Sequence, residues 1–200
     1  GATLSQVTRE ITRALGIHAT IVPMSDDPVR TIVRTPSGSL DFQTWFVRRR
    51  HRDRVLGVRF QGARRARPAP GLLAAIRRAR VILLCPSNPL ISIGPILAVP
   101  GLRAALRQTP APKIAVSPLI AGRALKGPAA HMMRDMSLRP DSLGVAELYR
   151  DFLDLLVLDR ADRALAPAVH RLGVRTLITN TLLDTARRRG ALARAILNLL

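Results

Sequence analysis

The sequence predicts an α/β protein: a three-layer parallel sheet core covered by helices on both faces, with a small antiparallel, hairpin-built addition near the N-terminus. Three observations predict it. From Pro68 onward, short apolar runs alternate with helically spaced ones, the pattern of parallel strands joined by right-handed crossovers. Between residues 18 and 60, β-branched and aromatic runs are separated by Asp26-Asp27-Pro28 and Pro36-Ser37-Gly38, which is turn chemistry. Hydrophobic residues make up 48% of the 200-residue chain, enough for a buried core and a single domain over 1–200.

The elements follow in order. Leu4, Val7, Ile11, Ala14 and Leu15 share one side of a helix over 4–15, which Gly16 stops. Strands are expected at 18–24, 29–35, 40–47 and 55–60. A helix over 71–78 leads into a strand at 80–85. After a loop, a helix runs over 94–107, broken or kinked at Pro100-Gly101. Then come a strand at 113–117, helices over 129–136 and 145–153, and a strand at 155–158. A helix over 162–172, a strand at 174–179 and a helix over 185–200 complete the chain.

Charge is the most conspicuous compositional feature. Thirty-two Lys+Arg against 13 Asp+Glu give 32 − 13 = +19. Such a field draws polyanions, but only Lys113 and Lys126 are lysines, and the Arg- and Ala-rich bias is that of a GC-rich coding sequence. At 3% aromatic residues, the composition argues against a base-stacking platform of the single-strand-binding kind and against nucleic acid as a partner. The single cysteine, Cys85, permits no internal disulfide and closes the run Val81-Ile82-Leu83-Leu84 as a small buried hydrophobe. A reducing, cytoplasmic setting follows. Residues 81–102 carry no charge, yet Pro86, Pro89, Pro95 and Pro100 interrupt them, so no membrane span is expected.

In open parallel sheets ligands bind beyond the carboxyl ends of the strands, which selects the segments after Cys85, Val116 and Leu158. In the first, Ser87, Asn88, Ser92 and Gly94 lead into a helix and could turn hydroxyls and amides towards a phosphate. In the second, Lys126 beside Gly127 could give a point charge to a diphosphate. Asp26 and Asp27 could ligate Mg²⁺ through carboxylate oxygens, or cap backbone amides in a turn. Arg48, Arg49, Arg50, Arg52 and Arg54 either face a nucleotide phosphate or keep a strand end soluble. Glu147, Asp151 and Asp154 fall on one helical face, usually a solvated stripe. No nucleophile elbow, Walker loop or GxGxxG is present, and the four histidines have no metal-ligand spacing. The residues alone leave the catalytic group unknown.

The blocks Met24 to Thr31, Phe42-Gln43 with Phe46 to Arg49, Ala69-Pro70-Gly71, CPSNPLISIGPILAVPG (85–101), 117–128 and GVAELYRDFLD (144–154) together resemble the 2-phospho-L-lactate transferases of coenzyme F-420 biosynthesis (LPPG:FO transferase) over nearly the whole chain. The resemblance implies a Rossmann-like core, Mg²⁺ as cofactor, and transfer from a guanosine-linked phospho-acid donor to the deazaflavin FO with release of GMP. It makes Ser87, Asn88, Ser92 and Gly94 donor contacts, with Lys126 and Gly127 behind them. It also implies that a Gly-rich strand–loop and an acidic segment, which contact FO and metal, precede the region matched here. Their loss would expose apolar surface and leave this fragment self-associating and inactive. Ala130-His131 departs from the acidic-then-basic pair expected there. Two other readings stay open: a non-enzymatic nucleotide-sugar-binding regulator of related fold, and a basic nucleic-acid-binding module. A homodimer stays open as well.

Overall fold

The computed structural model describes residues 1–124 and 126–199, so Leu125 and Leu200, the last residue of the final expected helix, lie outside it. The chain divides into two compact units, Gly1–Ala79 with Ile91–Pro110, and Arg80–Leu90 with Ala111–Leu200.

The first unit opens with α1 (Leu4–Ala14), whose start carries a capping box between Thr3 and Gln6. Asp26 Oδ1 adds a long-range cap, accepting from Ser5 N at 2.6 Å. Gly16, at φ +65°, ends the helix as expected. Its burial is inverted, however: Ser5 and Thr12 are buried, while Leu4, Val7, Ile11 and Leu15 are 54, 37, 54 and 69% exposed.

A three-stranded antiparallel sheet follows, β1 (Arg30–Thr35) between β2 (Gly38–Asp41) and β3 (Gly57–Gln61). One expected strand is absent and another is cut short. Residues 18–24 stay irregular; pairing begins only at the Ser25–Pro68 bridge, because Pro23 has no amide for a ladder. The strand expected at 40–47 stops at Asp41, and Thr44–Arg48 forms a π-helical turn with Thr44 N capped by Asp41 Oδ1 at 3.0 Å. Phe42, Trp45 and Phe46 have i, i+3, i+4 spacing, so a helical turn puts all three on one side. There Phe42 and Phe46 stack at 5.2 Å and Trp45 is fully buried.

The helices α2 (Leu72–Arg78), α3 (Gly94–Ala98) and α4 (Leu102–Gln108) complete this unit. Val99, Leu102 and Ala66 form its core with Leu72, Leu73 and Ile76 packed against them. The break foreseen at Pro100-Gly101 is a bend of 88° between Pro89–Ala98 and Leu102–Gln108. Among the described residues no single helix is long and apolar enough to cross a membrane.

The second unit is the parallel sheet, in the order β4 (Ile82–Leu84), β5 (Lys113–Val116), β8 (Leu155–Asp159), β9 (Arg175–Thr179). Between β5 and β8 lie an unexpected hairpin, β6 (Leu119–Ile120) with β7 (Arg123–Ala124), then α5 (Ala129–Asp135) and α6 (Ser142–Tyr149). A 3-10 turn at Arg160–Leu165 precedes α7 (Ala166–Arg171), and α8 (Ala186–Leu197) closes the chain.

The two central strands, β5 and β8, are buried along almost their whole length, as strands covered on both faces must be. Leu156, Val157 and Leu158 are fully buried, and each contributes about 1.5–3 kcal/mol by leaving water. Leu192 and Ile196 of α8 close one face over Ile114, Val116, Leu155 and Val157.

The α6 helix starts at Ser142, three residues ahead of the expected 145, because Asp141 Oδ1 caps Gly144 N at 2.9 Å. It ends at Tyr149, so Asp151 and Asp154 do not extend a stripe from Glu147. A Cβ at Gly144 would overlap the carbonyl oxygen of Arg139. Gly144→Ala should therefore lower the unfolding free energy by about 2–4 kcal/mol, read as a drop in the urea midpoint at constant slope.

Candidate active site at the carboxyl edge of the parallel sheet

Because β4, β5, β8 and β9 are mutually parallel, their carboxyl ends lie along one edge of the second unit. The segments following them carry Ser87 and Asn88, then Ser117 with Lys126 and Gly127, then Asp159 and Asp162, then Thr181. Ser92 and Gly94 belong to the first unit.

The stretch after β4 is less of a loop than the sequence suggests. A π-helical turn occupies Pro89–Ile93 and runs directly into α3. Pro89 can open it because its φ is preset and it lacks the amide a first-turn residue leaves unpaired. Ser92 and Gly94 thus sit inside a helical run. Asn88 Oδ1 accepts from Leu90 N at 2.9 Å, and Asn88 Nδ2 donates to Met132 Sδ of α5 at 3.6 Å. The amide of Asn88 therefore shapes the turn and ties it to the helix that follows Gly127-Pro128. The half-buried Ser87 hydroxyl has no hydrogen-bond partner among the described residues. Cys85 is exposed, not buried as the apolar run before it implied, because β4 ends at Leu84.

After β5 the chain forms a buried polar relay that sequence reasoning missed. Ser117 and Ser142 hydroxyls lie 2.8 Å apart, and Ser142 donates to Asp162 Oδ2 at 3.1 Å. Both Asp162 oxygens accept from Ala121 N, at 3.1 and 3.2 Å. Ala121, at φ +50°, and Gly122, at φ +69°, make the turn of the β6–β7 hairpin. One carboxylate thus holds the hairpin that leads to Lys126, itself exposed on a loop with Gly127 at φ +78°. The signal for this network was the Asp159–Asp162 pair directly after a strand, in a segment the edge rule had already selected.

Asp162 is 5% exposed, and burial raises its carboxyl above the usual aspartate range, with the nearby Asp159 and Asp141 charges adding to the shift. Asp159 moves the other way. Partial burial works against its charge, but the amides of Ala161 and Thr181 and the Thr181 hydroxyl outweigh it and lower the value.

At the opposite end of the sheet Asp154 accepts from Lys113 N at 2.8 Å and pairs with Lys113 Nζ at 2.9 Å. Lys113, 8% exposed, is a structural lysine.

Asp26 and Asp27, in the first unit, cap backbone amides: Ser5 N at 2.6 Å and Arg67 N at 2.8 Å. Among the described residues no group of three or more His, Cys, Asp or Glu side chains could hold a metal ion. These carboxylates do not fit a Mg²⁺ site. Of the arginine run, Arg49 forms a two-pronged pair with Asp53 at 2.6 and 2.7 Å, which steadies the turn.

Residues 1–181 match the family model described as 2-phospho-L-lactate transferase CofD. The chain is 39% identical to a 2-phospho-L-lactate transferase of Methanosarcina mazei over 196 residues, 98% of this chain and 64% of that protein. It is 40% identical to the one from Methanosarcina acetivorans, over 100% of this chain and 64% of the relative. Methanopyrus kandleri has another at 38% identity, of which 63% is covered. The chain therefore spans just under two-thirds of the length of these relatives. Two crystal structures of a Bacillus halodurans protein of the UPF0052 family superpose with TM-scores of 0.69 and 0.65 at 17 and 16% identity. They cover 98 and 96% of this chain and 67 and 66% of that one, and they support the fold.

Loss of the Asp162 carboxylate should separate its two effects. Asp162→Ala strands the Ala121 amide and the Ser142 hydroxyl and should cost about 1–3 kcal/mol in a denaturant titration. A raised folded-state pKa means the folded form binds the proton more tightly, so this group's contribution is full below the ordinary aspartate range and fades as pH rises through the raised value. The stability of Asp162→Asn should lack that component, and its difference from the unmodified chain should change across that window.

Proposed function

The chain belongs to the 2-phospho-L-lactate transferase CofD family, an enzyme family, and on that premise we propose that it transfers a phospholactyl-type group from a guanosine diphospho-linked donor to the deazaflavin FO. The terminal ribityl hydroxyl oxygen of FO forms a bond to the phosphorus carrying the lactyl group. The bridging P–O bond breaks, GMP leaves with the electron pair, and the hydroxyl proton passes to solvent. The product belongs to coenzyme F-420 biosynthesis.

The observation that carries this reading is the family match across residues 1–181. It is supported by the position of the CPSNPL and SPLIAGRALKGP segments, which follow adjacent parallel strands at one edge of the sheet. In-line transfer from a diphosphate asks the protein mainly for positioning and charge neutralisation. Ser87 offers a hydroxyl without a partner among the described residues, Asn88 shapes the turn that presents it, and Lys126 brings an exposed ammonium on a glycine-hinged loop. Gly127 contributes backbone shape beside Lys126. Mg²⁺ stays in the proposal as the donor's counter-ion, with no ligand assigned to it in this chain and no step routed through it. The basic-module reading has nothing comparable in its favour, since the family match accounts for the chain without it.

The test is GMP release from the guanosine-linked donor with FO and Mg²⁺, followed chromatographically. It should use this chain and a chimaera that adds the portion of the Methanosarcina mazei relative lying outside the match. The chimaera should turn over, and its Lys126→Ala variant should lose about 10²-fold in kcat/KM. Turnover unaffected by Lys126→Ala would remove that residue from the site, and an inactive chimaera that binds the donor normally would contradict the transfer.

A further inference from the structure

The inverted burial of α1 has a counterpart beneath it. A cavity of about 380 Å³ lies in the first unit between the polar face of α1 and residues 17–23, with Pro70 closing one side. Ser5, Arg9 and Arg13 project from the helix at i, i+4, i+8, hence in one row. His18 joins them from the facing segment, and Ile17, Ile21 and Pro70 supply apolar wall. No carboxylate is among the lining residues.

Two facts separate this cavity from an ordinary cleft. Ser5 is 8% exposed, and its Oγ is buried without a hydrogen-bond partner among the described residues, an arrangement that costs stability unless a ligand satisfies it. Arg9 and Arg13 are exposed at the rim and form no ion pair among the described residues. The Ser5 amide is already taken by Asp26, so an incoming group would be held by side chains and not by the end of the helix.

We propose that this cavity binds a small phosphate monoester with an apolar body, its phosphate held by Arg9, Arg13 and the Ser5 hydroxyl and its body against Ile17, Ile21 and Pro70. Guanidinium groups one helical turn apart suit a multiply charged oxyanion, with which they make charge-assisted bonds. The Ser5 hydroxyl, out of solvent reach as it stands, donates to the same oxyanion once its side chain rotates towards the cavity. The inference does not rest on the transferase reading: all the lining residues belong to the first unit, and the test reads binding alone.

Calorimetric titration of the full chain with phenyl phosphate tests it, with inorganic phosphate and phenol as the partial ligands. Phenyl phosphate should bind at least about tenfold more tightly than either part. The double variant R9Q/R13Q should lose about tenfold or more, whereas R77Q/R78Q, which removes the same charge from the exposed end of α2, should bind as before. Because Arg9 and Arg13 are exposed, thermal melting should be unchanged in R9Q/R13Q. Ser5→Ala should weaken binding without lowering stability, since it deletes an unsatisfied hydroxyl. Equal losses in the two double variants would show attraction to net charge only and overturn the proposal. So would unchanged affinity in Ser5→Ala, or no phenyl phosphate binding up to about 10 mM.

Discussion

Pairing of β5 with β8 in a single register is the constraint on which the second unit depends. Lys113 and Asp154 lock one end through an amide and an ammonium on the same carboxylate. Beyond the other end, the Ser117–Ser142–Asp162 relay ties the continuation of β5 to the turn after β8. Between these polar anchors the strands are wholly apolar, and a slip of one residue would reverse every side chain between the faces. Burial supplies most of the free energy there, and the hydrogen-bonded ends specify which pairing collects it.

The carboxyl edge inherits its geometry from that register. Asp162 spends its carboxylate on the turn of a short hairpin and so fixes where the following glycine-hinged loop begins. Asn88 does similar work after β4. Groups with satisfied bonds hold the frame, and the proposed transfer assigns the ligand to Ser87 and Lys126. That division is what a site built for positioning should show.

The sheet was legible in the sequence because its strands are short apolar runs with no competing period. All four parallel strands fall within two residues of their expected places. The first unit was less legible, for local reasons. Phe42, Trp45 and Phe46 look like a strand by composition, yet their spacing serves a helical turn. Residues 18–24 look like a strand by β-branching and lack a partner. At the site, the family was readable from the CPSNPLISIGP and SPLIAGRALKGP blocks, while the π-helical turn in the first and the hairpin in the second were not. The relay was not, since Ser117, Ser142 and Asp162 are separated by 25 and 20 positions and meet only after folding. Asp26 and Asp27 were open between metal ligation and capping in the sequence, and in the fold each accepts a backbone amide, from Ser5 and Arg67.

The central claim is that the edge formed by the ends of β4 and β5 receives the donor's nucleoside diphosphate. Amide chemical-shift mapping of the ¹⁵N-labelled chain with GDP tests it most directly. Saturable shifts should be confined to the amides of Ser87, Asn88, Leu90, Lys126 and Gly127, with the Lys113–Asp154 end of the sheet unmoved. Shifts spread over the arginine-rich surfaces, or centred on residues away from that edge, would contradict it.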